Sequence, residues 1–261
     1  VGGEAFRNCY SLKNVTLPEC AFYEKSTFSS GVYDWQEYDY NTGNTYYYRY
    51  RLSEVFGLHP CDKYPNPNRQ WETLVIGDGV RSIGGIDFCP NLRSVTLPSS
   101  IRSIGQSAFR NCAKLESVTI AECGDVMGSD GYEMWGEIGS EAFYGCTSLK
   151  RVDIPSCVTW IGDRAFYGCS SLTGVEIPGR VDQIGSEAFY GCSSLASVTF
   201  PEGVEYYDEN GNLQFEGGVR WIGDRAFAEC HALTNLTLPK HVENVGGEAF
   251  RNCYSLKNVT L

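Results

Sequence analysis

Apolar residues recur along the chain with a period of about 23 residues. The repeated unit reads I-G-x-x-A-F-x-x-C-x-x-L-x-x-V-x-I-P-x-x-V-x-x, and one copy, from Ile161 to Gln183, is IGDRAFYGCSSLTGVEIPGRVDQ. The cysteines of this unit, from Cys89 to Cys253, are separated by 23, 34, 23, 23, 38 and 23 residues. A fixed period of this length predicts a solenoid in which each unit forms one coil.

Each part of the unit predicts one element of the coil. The V-x-I segment alternates apolar and polar positions, which predicts a half-buried strand that the following proline ends. The V-x-x-I-G segment predicts a second short extended piece. A Ser or Asp then precedes A-F-x-x-C, and this order predicts a one- or two-turn helix with that residue as its N-cap. The candidate N-caps are Ser140, Asp163, Ser186 and Asp224.

The leucine position of the unit recurs nine times, so we expect about nine coils in one domain over residues 1–261. The recurrences are Leu12, Trp71, Leu92, Leu115, Leu149, Leu172, Leu195, Leu233 and Leu256. One coil cannot bury its own apolar face, but coils stacked about 4.8 Å apart share a continuous core. The predicted fold is therefore a repeat solenoid of mostly parallel β structure, with short helical turns and β-hairpin inserts.

The unit resembles the repeat of the BspA-like leucine-rich repeat (LRR) proteins, and the resemblance covers residues 1–17 and nearly all of 71–261. Members of that family are mostly bacterial surface or secreted proteins. The resemblance implies an LRR solenoid with a role in adhesion or binding and without catalysis. It assigns no function to any single residue, because every matched position is a core position.

The two ends of the chain carry the same sequence. Residues 1–17 and 245–261 both read VGGEAFRNCYSLKNVTL, whereas the copy that starts at Ile184 matches this segment at only 9 of 17 positions. Ordinary similarity between coils does not explain such identity, and neither end carries a polar capping coil. We therefore expect a larger period of 244 residues, so that the chain is one superrepeat of a longer array. A recent local duplication, or an arbitrary cut through the parent chain, is the alternative.

Three inserts interrupt the 23-residue rhythm, each after the V-x-I strand. Residues 21–68 form a Tyr-rich insert around an N-T-G-N turn, which predicts a β-hairpin. Residues 124–137 and 205–216 predict two shorter hairpins. Because the three inserts leave the coil at the same point, we expect them on one edge of the solenoid.

The aromatic residues of these inserts are candidates for an interaction surface, because Tyr and Trp are favoured at protein interfaces. They also have a purely structural explanation, since alternating Tyr side chains pack hairpins together. The residues are Tyr33, Trp35, Tyr38, Tyr40, Tyr46, Tyr47, Tyr48, Tyr50, Trp135, Tyr206, Tyr207 and Phe215.

The twelve cysteines divide into two groups. Eight occupy the repeated cysteine position and are expected to be small buried residues. Of the other four, Cys123 and Cys157 fall on adjacent coils at the same repeat position, which predicts a disulfide. Cys20 and Cys61 flank the long insert, and a second disulfide there would close it. Disulfides indicate an oxidising compartment, so we expect the protein outside the cell or on its surface.

Charge and motifs narrow the function further. The net charge of −11 argues against nucleic acid as a partner, and no stretch is apolar enough for membrane insertion. No catalytic motif or metal-ligand spacing appears, so we expect no enzymatic activity, cofactor or metal. Two functions remain: a unit of an extracellular filament or surface rod that partners with itself, or an adhesin that binds a host protein, a matrix protein or a glycan.

Overall fold

The structure is a computed structural model of the 261-residue chain. It describes residues 13–17, 25–26, 35–39, 44–48, 70–78, 80, 82–84, 86–123, 136–201, 204–207 and 213–260. Within these residues the chain forms a solenoid of short parallel strands, which confirms the predicted fold class.

The V-x-I segments form the first row of strands, here called the first ladder. The strands are parallel and pair in register, so that Leu74, Val95 and Val118 lie opposite one another. The first ladder consists of β1 (Asn14–Leu17), β5 (Thr73–Ile76), β7 (Ser94–Leu97), β9 (Ser117–Ile120), β11 (Arg151–Val152), β13 (Gly174–Glu176), β15 (Ser197–Thr199), β19 (Asn235–Thr237) and β21 (Asn258–Thr260). The order of strands along the ladder follows the sequence, as a solenoid requires.

The V-x-x-I segments form the second ladder, a seven-stranded parallel sheet. Its strands are β6 (Ser82–Ile83), β8 (Ser103–Ile104), β10 (Gly136–Ile138), β12 (Val158–Ile161), β14 (Gln183–Ile184), β18 (Trp221–Ile222) and β20 (Asn244–Val245). The described residues therefore make about seven complete coils, and the expectation of nine was too high. The count from leucines equals the nine first-ladder strands, whereas the described residues contain only seven second-ladder strands.

The core runs through the middle of the coils as rows of identical residues. Phe109, Phe143, Phe166, Phe189 and Phe227 are fully buried. Their rings stack face to face, with centroids 5.0 to 5.4 Å apart. Such aromatic pairs contribute about 0.5–1.5 kcal/mol each beyond the area they bury. Repetition along the axis thus gives each coil the same packing surface as its neighbours.

The segment between the second ladder and the cysteine is a series of tight turns, and the described residues contain no helix. In one coil Glu141 has a positive φ of 59°, which breaks a right-handed helix. The N–H groups then alternate in direction. Those of Glu141, Phe143 and Gly145 donate to carbonyls of the next coil, whereas those of Ala142, Tyr144 and Cys146 bond three residues back. The expected helical turn is wrong, because half of its N–H groups serve the neighbouring coil.

Two of the four predicted N-caps, Asp163 and Asp224, act between coils for the same reason. The Asp163 carboxylate accepts the N–H of Ser186, one coil further on, at 2.7 Å. Asp224 accepts the N–H of Gly247 in the same way, also at 2.7 Å. These side chains therefore satisfy free N–H groups as caps do, but on the adjacent coil instead of on a helix of their own.

Antiparallel strands are described in the first and the third insert. In the first, β2 (Lys25–Ser26), β3 (Trp35–Asp39) and β4 (Asn44–Tyr48) form a three-stranded sheet. In the third, β16 (Val204–Tyr207) pairs with β17 (Leu213–Glu216). β16 begins one residue before the expected start of this insert at residue 205. Gly136 and Glu137, which were expected in the second insert, belong to β10, and the rest of that insert, residues 124–135, lies outside the described residues.

The glycine that follows the second-ladder isoleucine allows the close approach of successive coils. A Cβ on Gly162 would lie 2.5 Å from the backbone nitrogen of Ser140. We expect Gly162→Ala to destabilise the protein by about 1–3 kcal/mol, since the coils must move apart. Gly84 occupies the same repeat position, but a Cβ there meets no atom of the described residues within 4 Å, so Gly84→Ala is the matched control. Thermal melts of both variants test this, and equal losses would contradict the explanation.

Candidate interaction surfaces

Alternating charges line one side of the solenoid, here called the turn charge ladder. It consists of the residue at positive φ in five successive coils: Glu141, Arg164, Glu187, Arg225 and Glu248. Arg164 Nε lies 2.7 Å from a Glu187 carboxylate oxygen, and Arg225 Nε lies 2.8 Å from Glu248. Hydrogen bonds from Arg225 and Arg251 lower the pKa of the Glu248 carboxyl. Each coil of this ladder thus places a charged residue next to one of opposite sign in the neighbouring coil.

A second set of alternating charges follows the repeated leucine, here called the leucine-side charge ladder. In the first five coils this position holds Lys13, Glu72, Arg93, Glu116 and Lys150. Lys13 pairs with Glu72 at 3.1 Å, and Glu116 binds both Arg93 and Lys150 at 2.7 and 2.8 Å. Hydrogen bonds from Lys150 and Arg93 lower the pKa of the Glu116 carboxyl. Neither ladder was predicted from the sequence, although an alignment of the coils shows that the charge at these positions alternates in sign.

The turn charge ladder also lines a groove with a volume of about 630 Å³. Its walls carry both signs of charge, and its guanidinium groups are already paired with carboxylates of neighbouring coils. Outside the groove, Tyr144, Tyr167 and Tyr190 stack with centroids 4.8 Å apart, so they present ring edges to solvent. The positive and negative side chains of the groove therefore neutralise one another, and its described residues favour no particular ligand.

The repeated cysteines face the core. Cys112, Cys146, Cys169, Cys192 and Cys230 are fully buried, and each Sγ lies 3.1 to 3.3 Å from a carbonyl oxygen of the preceding coil, to which the thiol donates. Burial raises the pKa of Cys146 and of Cys192 to about 12. These thiols stay protonated at neutral pH, which suits a structural role and not a nucleophilic one.

The other cysteines are only partly within the described residues. Cys123 and Cys157 form a disulfide, with Cα atoms 5.9 Å apart. Cys9, Cys20 and Cys61 lie outside the described residues, so the second predicted disulfide is not addressed by the structure.

The last described coil, residues 245–260, is less buried than the coils before it. Phe250, Cys253 and Leu256 are only partly buried there, whereas Phe227, Cys230 and Leu233 in the preceding coil have no exposed surface. Val259 of β21 is 51% exposed. Core positions of the repeat are thus only partly covered by the described residues in this coil.

The predicted aromatic surface is partly described. Backbone pairing sets Trp35 opposite Tyr48, Tyr38 opposite Thr45, and Tyr46 and Tyr47 opposite Glu37 and Gln36. In the other hairpin Tyr206 lies opposite Gln214, Tyr207 opposite Leu213, and Phe215 opposite Glu205. Tyr33, Tyr40, Tyr50 and Trp135 lie outside the described residues. The backbone therefore brings most of these aromatic residues into two hairpins.

Two further observations concern the described residues alone. They contain no group of three or more His, Cys, Asp or Glu side chains that could hold a metal ion. They also contain no helix that is long and apolar enough to cross a membrane.

Comparison with known families decides the relationship. The family described as BspA type leucine rich repeat region matches the chain in six copies, over residues 1–54, 66–133, 131–211 and 206–261. The chain belongs to the BspA-type leucine-rich repeat family. The resemblance seen in the sequence is thereby confirmed. A search of the curated proteins found no match.

Solved structures of bacterial leucine-rich repeat proteins are similar to this BspA-type chain. A leucine-rich repeat protein of T. pallidum is 32% identical, with a TM-score of 0.53, and the match covers 71% of this chain and 78% of the other. A leucine-rich repeat protein of Bacteroides ovatus is 24% identical, with a TM-score of 0.55, over 89% of this chain and 53% of the other. The second likeness concerns the fold alone.

Buried thiols make the stability of the BspA-type solenoid depend on pH. Because burial raises the pKa of Cys146 and Cys192 to about 12, unfolded thiols lose their protons first as the pH rises above about 8.5. The stability is fully present below that pH and is lost progressively toward pH 12. Urea unfolding at pH 8 and pH 10 should show the loss, and Cys192→Ala should reduce it. A stability independent of pH in this range would contradict the mechanism.

The disulfide makes a separate prediction. It closes a loop with a sequence separation of 34, for which chain entropy gives a stabilisation of about 3–4 kcal/mol. We expect Cys157→Ser to lower the free energy of unfolding by up to that amount. Wild-type protein treated with reductant is the matched control, and it should unfold like the variant. Non-reducing peptide mapping that fails to link Cys123 to Cys157 would refute the pairing.

Proposed function

We propose that the chain is one period of a long structural rod or filament outside the cell, built from superrepeats of about 244 residues that join end to end. The observation that carries this proposal is the identity of residues 1–17 with residues 245–261 at all 17 positions. A further copy of the period would therefore begin on the coil with which this one closes. Eight coils at about 4.8 Å correspond to a rise of roughly 38 Å per period.

A structural role without catalysis also agrees with the side-chain chemistry. The buried thiols of the cysteine row are held in the protonated form, so they are poor nucleophiles. The carboxylates of the two charge ladders bind cations of adjacent coils. We therefore propose that these groups hold coils together and that the protein is not an enzyme.

The disulfide supports a location outside the cell. The bridge between Cys123 and Cys157 joins adjacent coils, and such bonds persist in oxidising compartments. The net charge of −11 keeps the surface unsuited to nucleic acid.

A second candidate function is a binding module for a host protein, a matrix protein or a glycan. The hairpin of β3 and β4 favours this binding function, because Tyr is enriched at protein interfaces. The two strands contain five aromatic residues: Trp35, Tyr38, Tyr46, Tyr47 and Tyr48. Replacement of Tyr46, Tyr47 and Tyr48 by Ser should abolish binding to such a ligand and leave rod formation intact.

Electron microscopy of the native protein tests the filament. We expect rods of uniform width whose length increases in steps of roughly 38 Å with the number of periods. Separate particles of a single period that bind a ligand would favour the binding module instead. Peptide mapping of the native protein gives an independent check, because Leu261 should be followed by a sequence like Pro18-Glu19-Cys20-Ala21.

A further inference from the structure

Two tryptophans lie on the outer surface of the second ladder. Trp160 belongs to β12 and Trp221 to β18, and the strand register places both opposite Gln183 of β14. They therefore occupy one row of the sheet, two strand spacings or about 9.6 Å apart. The isoleucine that follows each tryptophan is fully buried, so both tryptophans lie on the opposite, outer face. Gln183, which lies between them, is exposed.

The fold does not require tryptophan at this position. The other strands of the second ladder hold small or polar residues in the same row: Ser82, Ser103, Glu137, Gln183 and Asn244. Trp221 is 50% exposed, although strands pair with β18 on both sides. Before residue 245 it is the most exposed large hydrophobic residue that the structure describes. Core packing therefore does not account for Trp221, whereas contact with a ligand does.

The charge around the two tryptophans is negative. The strands from β10 to β20, together with the residue that precedes each, contribute three carboxylates and one cation: Glu137, Asp182, Glu243 and Arg220. Arg220 Nε lies 2.5 Å from Asp182, and its Nη1 lies 3.9 Å from Glu243. Glu137 lies opposite Trp160 in the strand register. This surface therefore repels polyanions and is complementary to a cationic ligand.

The spacing of the tryptophans fits a linear glycan that runs along the solenoid axis. An extended β-1,4-linked chain advances by nearly one strand spacing per sugar, and each ring is turned over relative to the one before it. Every second ring thus presents the same face at nearly the interval that separates Trp160 from Trp221. Aromatic rings stack on the C–H faces of sugars, and the amide of Gln183 is placed to hydrogen-bond the hydroxyls of the sugar between them.

We propose that Trp160 and Trp221 bind a β-1,4-linked glycan of amino sugars whose amino groups are free and protonated. Alternate sugar rings stack on the two indoles, where a cationic group is also attracted to the face of the ring. Ammonium groups of the same chain pair with Glu137 and Glu243. The site is separate from the aromatic hairpin of β3 and β4, and it does not depend on assembly into a rod.

Oligomers of β-1,4-linked glucosamine (chitosan oligomers) of defined length test the site by calorimetry. At mildly acidic pH their amino groups are protonated, whereas carboxylates remain ionised. We expect the trimer and longer oligomers to bind more tightly than the dimer, because only rings two sugars apart reach both indoles. Absence of binding by the hexamer, or equal affinities of dimer and hexamer, would overturn the proposal.

Each tryptophan should contribute to the affinity. Trp160→Gln and Trp221→Gln introduce the residue that Gln183 already supplies in the same row, so the coils should fold as before. Each change should weaken binding of the hexamer about three- to tenfold, as expected for the loss of one stacked cationic ring. Val75→Ala, at an exposed apolar position of the first ladder, is the control. Unchanged affinity in both tryptophan variants, with thermal melts like those of the parent protein, would refute the site.

An exchange of neighbouring residues tests the spacing. The double variant Trp160→Gln with Gln183→Trp retains two tryptophans but places them on adjacent strands. It should bind the hexamer no better than Trp160→Gln alone. A return to the affinity of the parent protein would contradict the match between the tryptophan spacing and alternate sugars.

A charge variant tests the class of sugar. Glu137→Gln keeps an acceptor for Ser103 Oγ but removes the negative charge, so it should weaken binding of the glucosamine hexamer about two- to fivefold. The N-acetylated hexamer is uncharged, and its weaker binding should not change. Equal affinities of the two hexamers for the parent protein would overturn the choice of an amino glycan.

A hairpin variant separates this inference from the proposed functions. Replacement of Tyr46, Tyr47 and Tyr48 by Ser should leave binding of the glucosamine hexamer unchanged. Loss of binding in that variant, together with unchanged binding in both tryptophan variants, would overturn the site and assign the glycan to the hairpin. Rods that form without any affinity for the hexamer would leave the filament intact and refute this inference alone.

Discussion

Backbone hydrogen bonds that run along the solenoid axis hold each coil to the next, and the rest of the structure depends on them. They fix the coil spacing near 4.8 Å, so every position must accept its own equivalent as a neighbour. The phenylalanines satisfy this condition by stacking, and the glycine that follows the second ladder satisfies it by lacking a Cβ. The turn residues satisfy it with positive φ values at Arg164 and Glu187, which aim their N–H groups at the adjacent coil. Each consensus position therefore holds a residue that can pack against an identical residue of the adjacent coil at this distance.

Charged residues cannot stack on copies of themselves without repulsion, and the chain resolves this by alternating their sign. Glu187 lies between Arg164 and Arg225, and Glu116 lies between Arg93 and Lys150. Each exposed pair contributes little to stability, since solvent screens it. The alternation removes the repulsion that identical charges would have at the spacing of the coils, whereas the apolar core is nearly the same in every coil.

The sequence was sufficient to predict the features that arise within one coil. Alternation in Val175–Ile177 predicts the first-ladder strand, and the 23-residue period predicts parallel stacking. Features that arise between coils were predicted poorly. Asp163 was expected to cap its own helix, but its carboxylate accepts an N–H of the following coil, and nothing local in the sequence indicates this. The positive φ of Arg164 could not be predicted from the sequence either, since charged residues are not typical of the left-handed region of backbone conformation. The charge ladders become visible only when coils are aligned and their signs compared.

The stacking of coils determines how accessible the thiols of the cysteine row are to oxidants. Each buried thiol donates to a carbonyl of the preceding coil, and no oxidant can reach it while a further coil covers it. Disulfides such as the one between Cys123 and Cys157 persist in oxidising environments, in which an accessible thiol is vulnerable to oxidation. Cys253 is the one described thiol of the row that is only half-buried, because no described coil lies beyond it.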